Sequence, residues 1–211
     1  MPFLPRKVLI RLKLNSYCRI ARIVLLLLFF SPSLRAETDT LPQPFYVYSD
    51  KDSPGNFFYP SGWMGNVECI EFDDNWVIKP HSGSSCIRLT YNPSNAGLKW
   101  AGIYWQNPPN NWGFKEGSLD LTGARRLTFW ARGEKGGEVI EKFRIGGIIG
   151  RYPDSTMASL SPVVLTKDWA KYIIDLTDKD LAYISGGFCW VVKSEDNPDG
   201  LIFYLDDIRY E

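Results

Sequence analysis

Histidine is almost missing from this chain: of 211 residues one is histidine, His81, in a Pro-His-Ser-Gly turn. That scarcity removes the serine- and cysteine-based triads that rely on an imidazole base, and no His-Glu-x-x-His is present. His81 itself reads as a turn residue. Cysteine is scarce too, with four in all and no Cys-x-x-Cys. No glycine-rich loop feeds a helix, so there is no phosphate cradle of the dinucleotide or P-loop kind. No window of eleven residues carries a convincing amphipathic helix, and residues 178–184 could make one short turn at most. Internal repeats and low-complexity segments are absent.

Long apolar runs are missing as well. The longest reads Ile23-Val-Leu-Leu-Leu-Leu-Phe-Phe30, far short of the ~20 residues that span a bilayer. It follows a basic stretch ending at Arg22 and precedes Ser31-Pro-Ser-Leu-Arg-Ala36, the layout of a cleaved secretory signal. The expected organisation is a signal peptide over 1–36, a short proline-bearing tether over 37–44 and one domain over 45–211. Export through that signal implies a secreted, periplasmic or cell-surface protein.

An excess of positive charge is lacking too. Residues 1–36 hold seven basic residues and no acidic one, leaving 17 basic against 24 acidic in the rest, a net charge of −7. An acidic body gains nothing from counterion release on a phosphate backbone, which argues against nucleic acid as a partner.

What the sequence has is aromatics and alternation. Trp100-Ala-Gly-Ile-Tyr-Trp-Gln-Asn-Pro-Pro-Asn-Asn-Trp112 packs three of the eight tryptophans into thirteen residues. As a strand it alternates, and its two prolines force the following residues into a loop. Period-two segments recur at 45–49, 66–72, 85–91, 99–106, 126–132, 141–149, 162–165, 170–176, 187–193 and 201–210. Turn signals separate them. The fold class expected is all-β, a two-sheet β-sandwich.

After removal of Cys18 with the leader, Cys69, Cys86 and Cys189 remain. Cys69 and Cys86 each lie on the non-apolar parity of their segments, so adjacent strands would place both sulfurs on one face. A Cys69–Cys86 disulfide is expected, contributing about 3 kcal/mol, with Cys189 a buried free thiol. Three carboxylate pairs (Asp73/Asp74, Glu134/Glu138 and Asp206/Asp207) have the residue types for glycoside hydrolysis, but spacing alone does not set two of them across a groove.

Four segments carry a resemblance: Trp100-Ala-Gly-Ile-Tyr-Trp-Gln-Asn-Pro108, Asp120-Leu-Thr-Gly-Ala124, Leu127-Thr-Phe-Trp-Ala-Arg-Gly133 and Phe203-Tyr-Leu-Asp-Asp-Ile-Arg-Tyr210. Together they resemble the galactose-binding-domain-like jelly rolls, a group that includes many carbohydrate-binding modules of secreted polysaccharide-degrading systems. The resemblance implies a sandwich of jelly-roll type, carbohydrate as the partner, and a structural calcium on one Asp of the final pair. Such modules are usually appended to catalytic domains, whereas here the module makes up the expected mature chain, so the expectation is a free-standing secreted or periplasmic binding protein or a subunit delivered to a larger assembly.

A carboxylate on the inward face of the last strand needs a partner or a cation. Asp206 and Asp207, with Asp50 and Asp52 at the end of the first strand, are the candidate ligands of Ca2+. The alternative is that one Asp is exposed and the other caps backbone N–H groups or pairs with an Arg. For the sugar, Tyr104 or Trp105, Trp112 and Trp130 are the expected platforms, because a sugar's C–H face stacks on a flat ring. Gln106, Asn110, Asn111 and Arg132 are the expected hydrogen-bonding partners. A half-buried ring under a loop is the competing reading for Trp130. Trp169 and Trp190 read as core, and Trp63 and Trp76 as loop anchors. The functional expectation is a module that binds carbohydrate and catalyses nothing. The alternatives are a structural or interaction module for another secreted protein, and a small glycan-active enzyme.

Overall fold

Apolar residues at every second position build strands that can each bury one face. The computed structural model describes residues 44–211. The expected signal peptide, and the tether up to residue 43, lie outside the described residues. Chain order gives β1 (Phe45–Tyr48), β2 (Tyr59–Gly65), β3 (Ile70–Trp76), β4 (Cys86–Tyr91), β5 (Trp100–Gln106) and β6 (Arg126–Gly133). Then come β7 (Val139–Ile140), β8 (Lys142–Gly146), β9 (Met157–Leu160), β10 (Val163–Val164), β11 (Ala170–Asp175), β12 (Gly186–Lys193) and β13 (Leu201–Tyr210). A 3₁₀ turn at Val67–Cys69 is the one helical element among the described residues. None of them forms a helix long and apolar enough to cross a membrane.

Two antiparallel sheets result. One runs β11-β6-β13-β4-β3, with β1 also paired to β13, and the other runs β2-β5-β12-β8-β9. The ribbon β7–β10 stands apart. They form the all-β sandwich that the alternation predicts, of the jelly-roll type that the resemblance implies. The long strand β13 is the hub: β6 pairs along it, β4 takes Leu201–Leu205 and β1 takes Ile208–Tyr210.

The core lies between the sheets. Leu127, Phe129 and Ala131 of β6 meet Phe143 and Phe188 from the other sheet, with Phe129 4.7 Å from Phe143 and 5.3 Å from Phe188. Trp190 packs edge-on against Phe203 at 5.2 Å and is fully buried, a core ring as expected. On β13 the inward parity changes: Leu201, Phe203 and Leu205 are buried, and so are Ile208 and Tyr210. The register shifts between Asp206 and Arg209, and Asp207 takes a φ of 47°. This bulge inserts one residue and keeps both halves of the strand facing the core.

Three local differences from the sequence expectation have clear causes. The segment 66–72 is not one strand, since the 3₁₀ turn precedes β3, which extends to Trp76. Strand β2 includes the Pro60-Ser-Gly62 stretch that reads as a turn. It is an edge strand with a register shift between Pro60 and Gly62, the setting in which a strand tolerates proline. Gly62 is required there, because a Cβ would lie 2.7 Å from the Tyr104 Cβ. Strand β9 escapes the pattern because Met157–Leu160 is an edge with no fully buried residue.

The Cys69–Cys86 disulfide is overturned. Cys69, Cys86 and Cys189 are all free and buried. Cys69 sits in the 3₁₀ turn, its carbonyl accepting the Asn92 N–H, whereas Cys86 pairs with Trp76 at the far end of the same hairpin. Six strand positions separate Cys86 from Asn92, roughly 20 Å, against the ~4–7 Å between Cα atoms that a disulfide spans. Cys189 is the buried free thiol expected, and burial pushes its pKa to about 12.

Candidate functional site

The parity that sends Leu127, Phe129 and Ala131 inward sends Thr128, Trp130 and Arg132 to the outer face of the six-stranded sheet. Register then fixes their neighbours. Tyr204 on β13 lies opposite Arg132 on one side and Arg88 on the other, and Asp206 lies opposite Trp130. Trp76, the last residue of β3, faces Cys86 at the sheet's edge. Trp169, just before β11, closes the opposite edge.

These residues make a cleft of about 360 Å³. Its walls are aromatic: Tyr204 lies 6.3 Å from Trp76 and 6.5 Å from Trp169, ring centroid to ring centroid. Ile78, Lys79, Lys167, Asp168 and Glu134 complete the lining. The Arg132 guanidinium stacks 3.6 Å over the Tyr204 ring and 5.3 Å from Trp169, and Arg88 lies 5.0 Å over Trp76. Cation–π contact of this kind holds long side chains flat against the sheet. The Tyr204 hydroxyl donates to Glu134 Oε2 at 2.7 Å. Burial, then the neighbouring Glu134, raises the Tyr204 pKa and keeps the phenol neutral.

One wall is a loop held by three aspartates. Asp206 Oδ2 accepts the backbone N–H groups of His81 (2.8 Å) and Ser82 (3.2 Å). Asp207 Oδ2 meets His81 Nδ1 at 3.0 Å and accepts the Ser82 hydroxyl at 2.8 Å. Asp50 Oδ1 accepts the N–H groups of Ser84 (2.7 Å) and Ser85 (2.8 Å). The loop continues through Lys79, whose carbonyl accepts the Trp169 indole N–H at 3.2 Å. Burial drives the Asp206 carboxyl up to about 7, against the pull of its backbone N–H bonds. Burial would also raise Asp50, but the Ser84 and Ser85 hydrogen bonds outweigh it and lower the pKa.

These contacts decide how the four candidate cation ligands fit calcium. Both oxygens of Asp206, Oδ1 of Asp50 and Oδ2 of Asp207 accept N–H or O–H donors, and Asp52 is exposed beside Lys51, 3.6 Å away. Among the described residues no three acidic, histidine or cysteine side chains converge as a metal site. A cage of six to eight oxygens does not fit this donor set. The capping alternative describes Asp206 and Asp50, and His81 is the clasp of the loop rather than a plain turn residue.

The sugar-contact candidates separate into two places. Tyr104, Trp105, Gln106 and Asn111 are buried on or beside β5, so none offers a face to solvent. Trp105 packs in the core against Phe188 at 5.7 Å. Tyr104 points the other way, under a loop, its hydroxyl bonded to the Gly146 carbonyl and the Trp112 ring edge-on at 5.9 Å. Gln106 donates to the Asn111 carbonyl, while Asn111 Oδ1 accepts the N–H groups of Gly113 and Lys115. These amides build the loop that follows β5. Asn110 is exposed at its tip with a φ of 56°.

Arg132 alone among the candidates lines the cleft; Trp130 lies half-buried on the same outer face, where His81 stacks on it at 3.8 Å. The sequence reads Trp76 as a loop anchor and Trp169 as core, and gives Tyr204 no role. Tyr204 was within reach, because it shares a parity with Asp206 on β13. Trp76 belongs to a strand rather than a loop, and Trp169 is a half-buried wall rather than core.

Of the three carboxylate pairs, Glu134 lines the cleft, while Glu138 is buried and accepts the Lys135 N–H. Asp73 caps the Asn75 N–H and Asp74 pairs with Lys51 at 2.9 Å.

No family model matches the sequence, and no curated protein does. Solved structures do match. Two crystal structures of a family 30 carbohydrate-binding module superpose with a TM-score of 0.54; each covers 81% of this chain, at 13% and 16% identity, and 88% and 99% of the module. The family 30 module of the cellulosomal cellulase Cel9D-Cel44B of Clostridium thermocellum gives a TM-score of 0.52 at 16% identity. That match covers 81% of this chain and 98% of the module. At these identities the likeness establishes the fold: this chain has the β-sandwich of carbohydrate-binding modules.

Proposed function

We propose that the chain is a secreted, non-catalytic module that binds carbohydrate in the cleft on the outer face of the six-stranded sheet. The observation that carries this reading is the pair of half-buried rings Trp76 and Trp169, set on either side of the buried Tyr204 around an open cleft with polar groups at its rim. Trp76 and Trp169 supply the stacking surface for a sugar's C–H face, and Arg132, Glu134 and the lysines supply donors and acceptors for its hydroxyls. The fold it shares with carbohydrate-binding modules supports the same reading, as does the signal-like leader for export.

A glycan array followed by tryptophan fluorescence tests it. Binding of a related class of glycans, lost on replacing Trp76 and Trp169 by Ala, supports the cleft as the site. Silence across the array from folded protein overturns the reading.

A second reading rests on a different surface. Phe114 is 76% exposed and Ile149 is 82% exposed. Their loops are joined where the Tyr152 N–H meets the Gly113 carbonyl. An apolar pair so open suits contact with another secreted protein. Self-association or partner capture that disappears in a Phe114→Ser variant would favour it.

A further inference from the structure

The cleft encloses a cation with spare donors. The Arg132 side chain is 13% exposed, its plane held against Tyr204. A guanidinium carries five N–H donors. Within the protein they find a single long bond, to the Gly133 carbonyl at 3.4 Å, and a distant Glu134 oxygen at 3.9 Å. No Arg132 atom is among the buried atoms left without a partner, so its remaining donors open onto the cleft it lines.

The surroundings add charge of the same sign. Lys79 and Lys167 also line the cleft, and among the described residues neither forms an ion pair. Two carboxylates line it as well, Asp168 and Glu134, the latter engaged by the Tyr204 hydroxyl. Cations thus hold the majority here, on a chain whose residues 37–211 carry a net charge of −7.

Resting on the carbohydrate reading, we infer that the cleft takes an acidic sugar, a glycan containing uronic acid, with Arg132 as the fork for its carboxylate. A planar guanidinium matches a carboxylate through two parallel hydrogen bonds, a geometry that a neutral hydroxyl cannot reproduce. The aromatic walls would hold the pyranose ring while the carboxylate reaches Arg132 on the floor and the two lysines raise the local potential.

Calorimetry on the full chain tests this with uronic-acid oligosaccharides, their methyl esters and neutral β-glucan oligosaccharides of equal length. The expected result is that the free acids bind about tenfold or more tightly than esters or neutral chains. In Arg132→Lys that preference falls several-fold with the melting temperature retained, because a lysine is a point charge without the fork. Should that variant fail to fold, a Lys79→Ala/Lys167→Ala pair at exposed positions serves, with preference for the acids reduced about threefold. Equal binding of acids, esters and neutral chains overturns the inference and leaves the carbohydrate reading standing. So does equal tightening by sulfated glycans, which lack the planar acceptor, or an unchanged preference in the variants. No binding by any oligosaccharide to folded protein overturns the carbohydrate reading, and the inference with it.

Discussion

The imidazole of His81 lies parallel to the indole of Trp130, 3.8 Å between centroids with planes 17° apart, while its Nδ1 rests 3.0 Å from Asp207 Oδ2. The contact joins a loop to the sheet at one wall of the cleft. His81→Ala should therefore cost about 1 kcal/mol and lower the melting temperature by about 2–4 °C. It should also move the tryptophan emission to the red as Trp130 becomes hydrated. Unchanged emission would mean that the stack does not shield Trp130.

Asp206 gives the stability a pH signature. Its folded pKa, about 7, stands above the ordinary 3.8 because of burial. Between those values the folded chain holds a proton that the unfolded chain has released, so raising the pH through the window removes stability. Thermal melts should fall from about pH 4 to about pH 7 and then level. Asp206→Asn should flatten that fall. Glu211 acts in the opposite sense: the Thr128 hydroxyl above all, with Arg126 and Arg209, holds its carboxyl at about 2. Its contribution is present above the unfolded value of 4.5 and is lost as the pH drops toward 2.

Ring by ring, the tryptophans should separate function from folding. Trp76→Ala and Trp169→Ala are each expected to weaken glycan binding roughly tenfold with a native-like melt. Trp105→Ala removes a ring wedged in the core beside Phe188 and should cost about 3–5 kcal/mol of stability. A folded Trp105→Ala protein that binds no sugar would instead assign that ring to the site.

Alkylation followed by mass analysis should count Cys69, Cys86 and Cys189 as three thiols, each modified once the chain is unfolded and slow to react while folded. Reduction should leave the melting temperature where it was. A loss of two modifiable thiols without reductant would restore the disulfide.

Chelator treatment followed by added calcium should shift the melt by less than about 1 °C, since the candidate carboxylates do not converge and N–H and O–H donors hold both oxygens of Asp206 and one each of Asp50 and Asp207. A concentration-dependent rise would mean that those aspartates can exchange these donors for a cation.

Much of the architecture is legible in the residues taken alone. Alternation such as Leu127, Phe129 and Ala131 against Thr128, Trp130 and Arg132 determines which side of a strand is greasy, and turn residues determine where strands stop. From those local rules the all-β sandwich and most of its strands follow. Edge strands such as β2 and β9 evade them, because an edge that buries little carries little pattern. The site was a different matter. The aromatic stretch from Trp100 to Trp112 looks like a binding surface in one dimension, yet its own loop folds back and covers Tyr104. The cleft that opens instead joins Trp76, Trp169 and Tyr204, residues far apart in the chain. Period two assigns each side chain to a face, but strand order decides which faces become neighbours, and loop packing decides which stay open to water. Both depend on contacts across the whole sheet, so tertiary structure alone settled where the cleft lies.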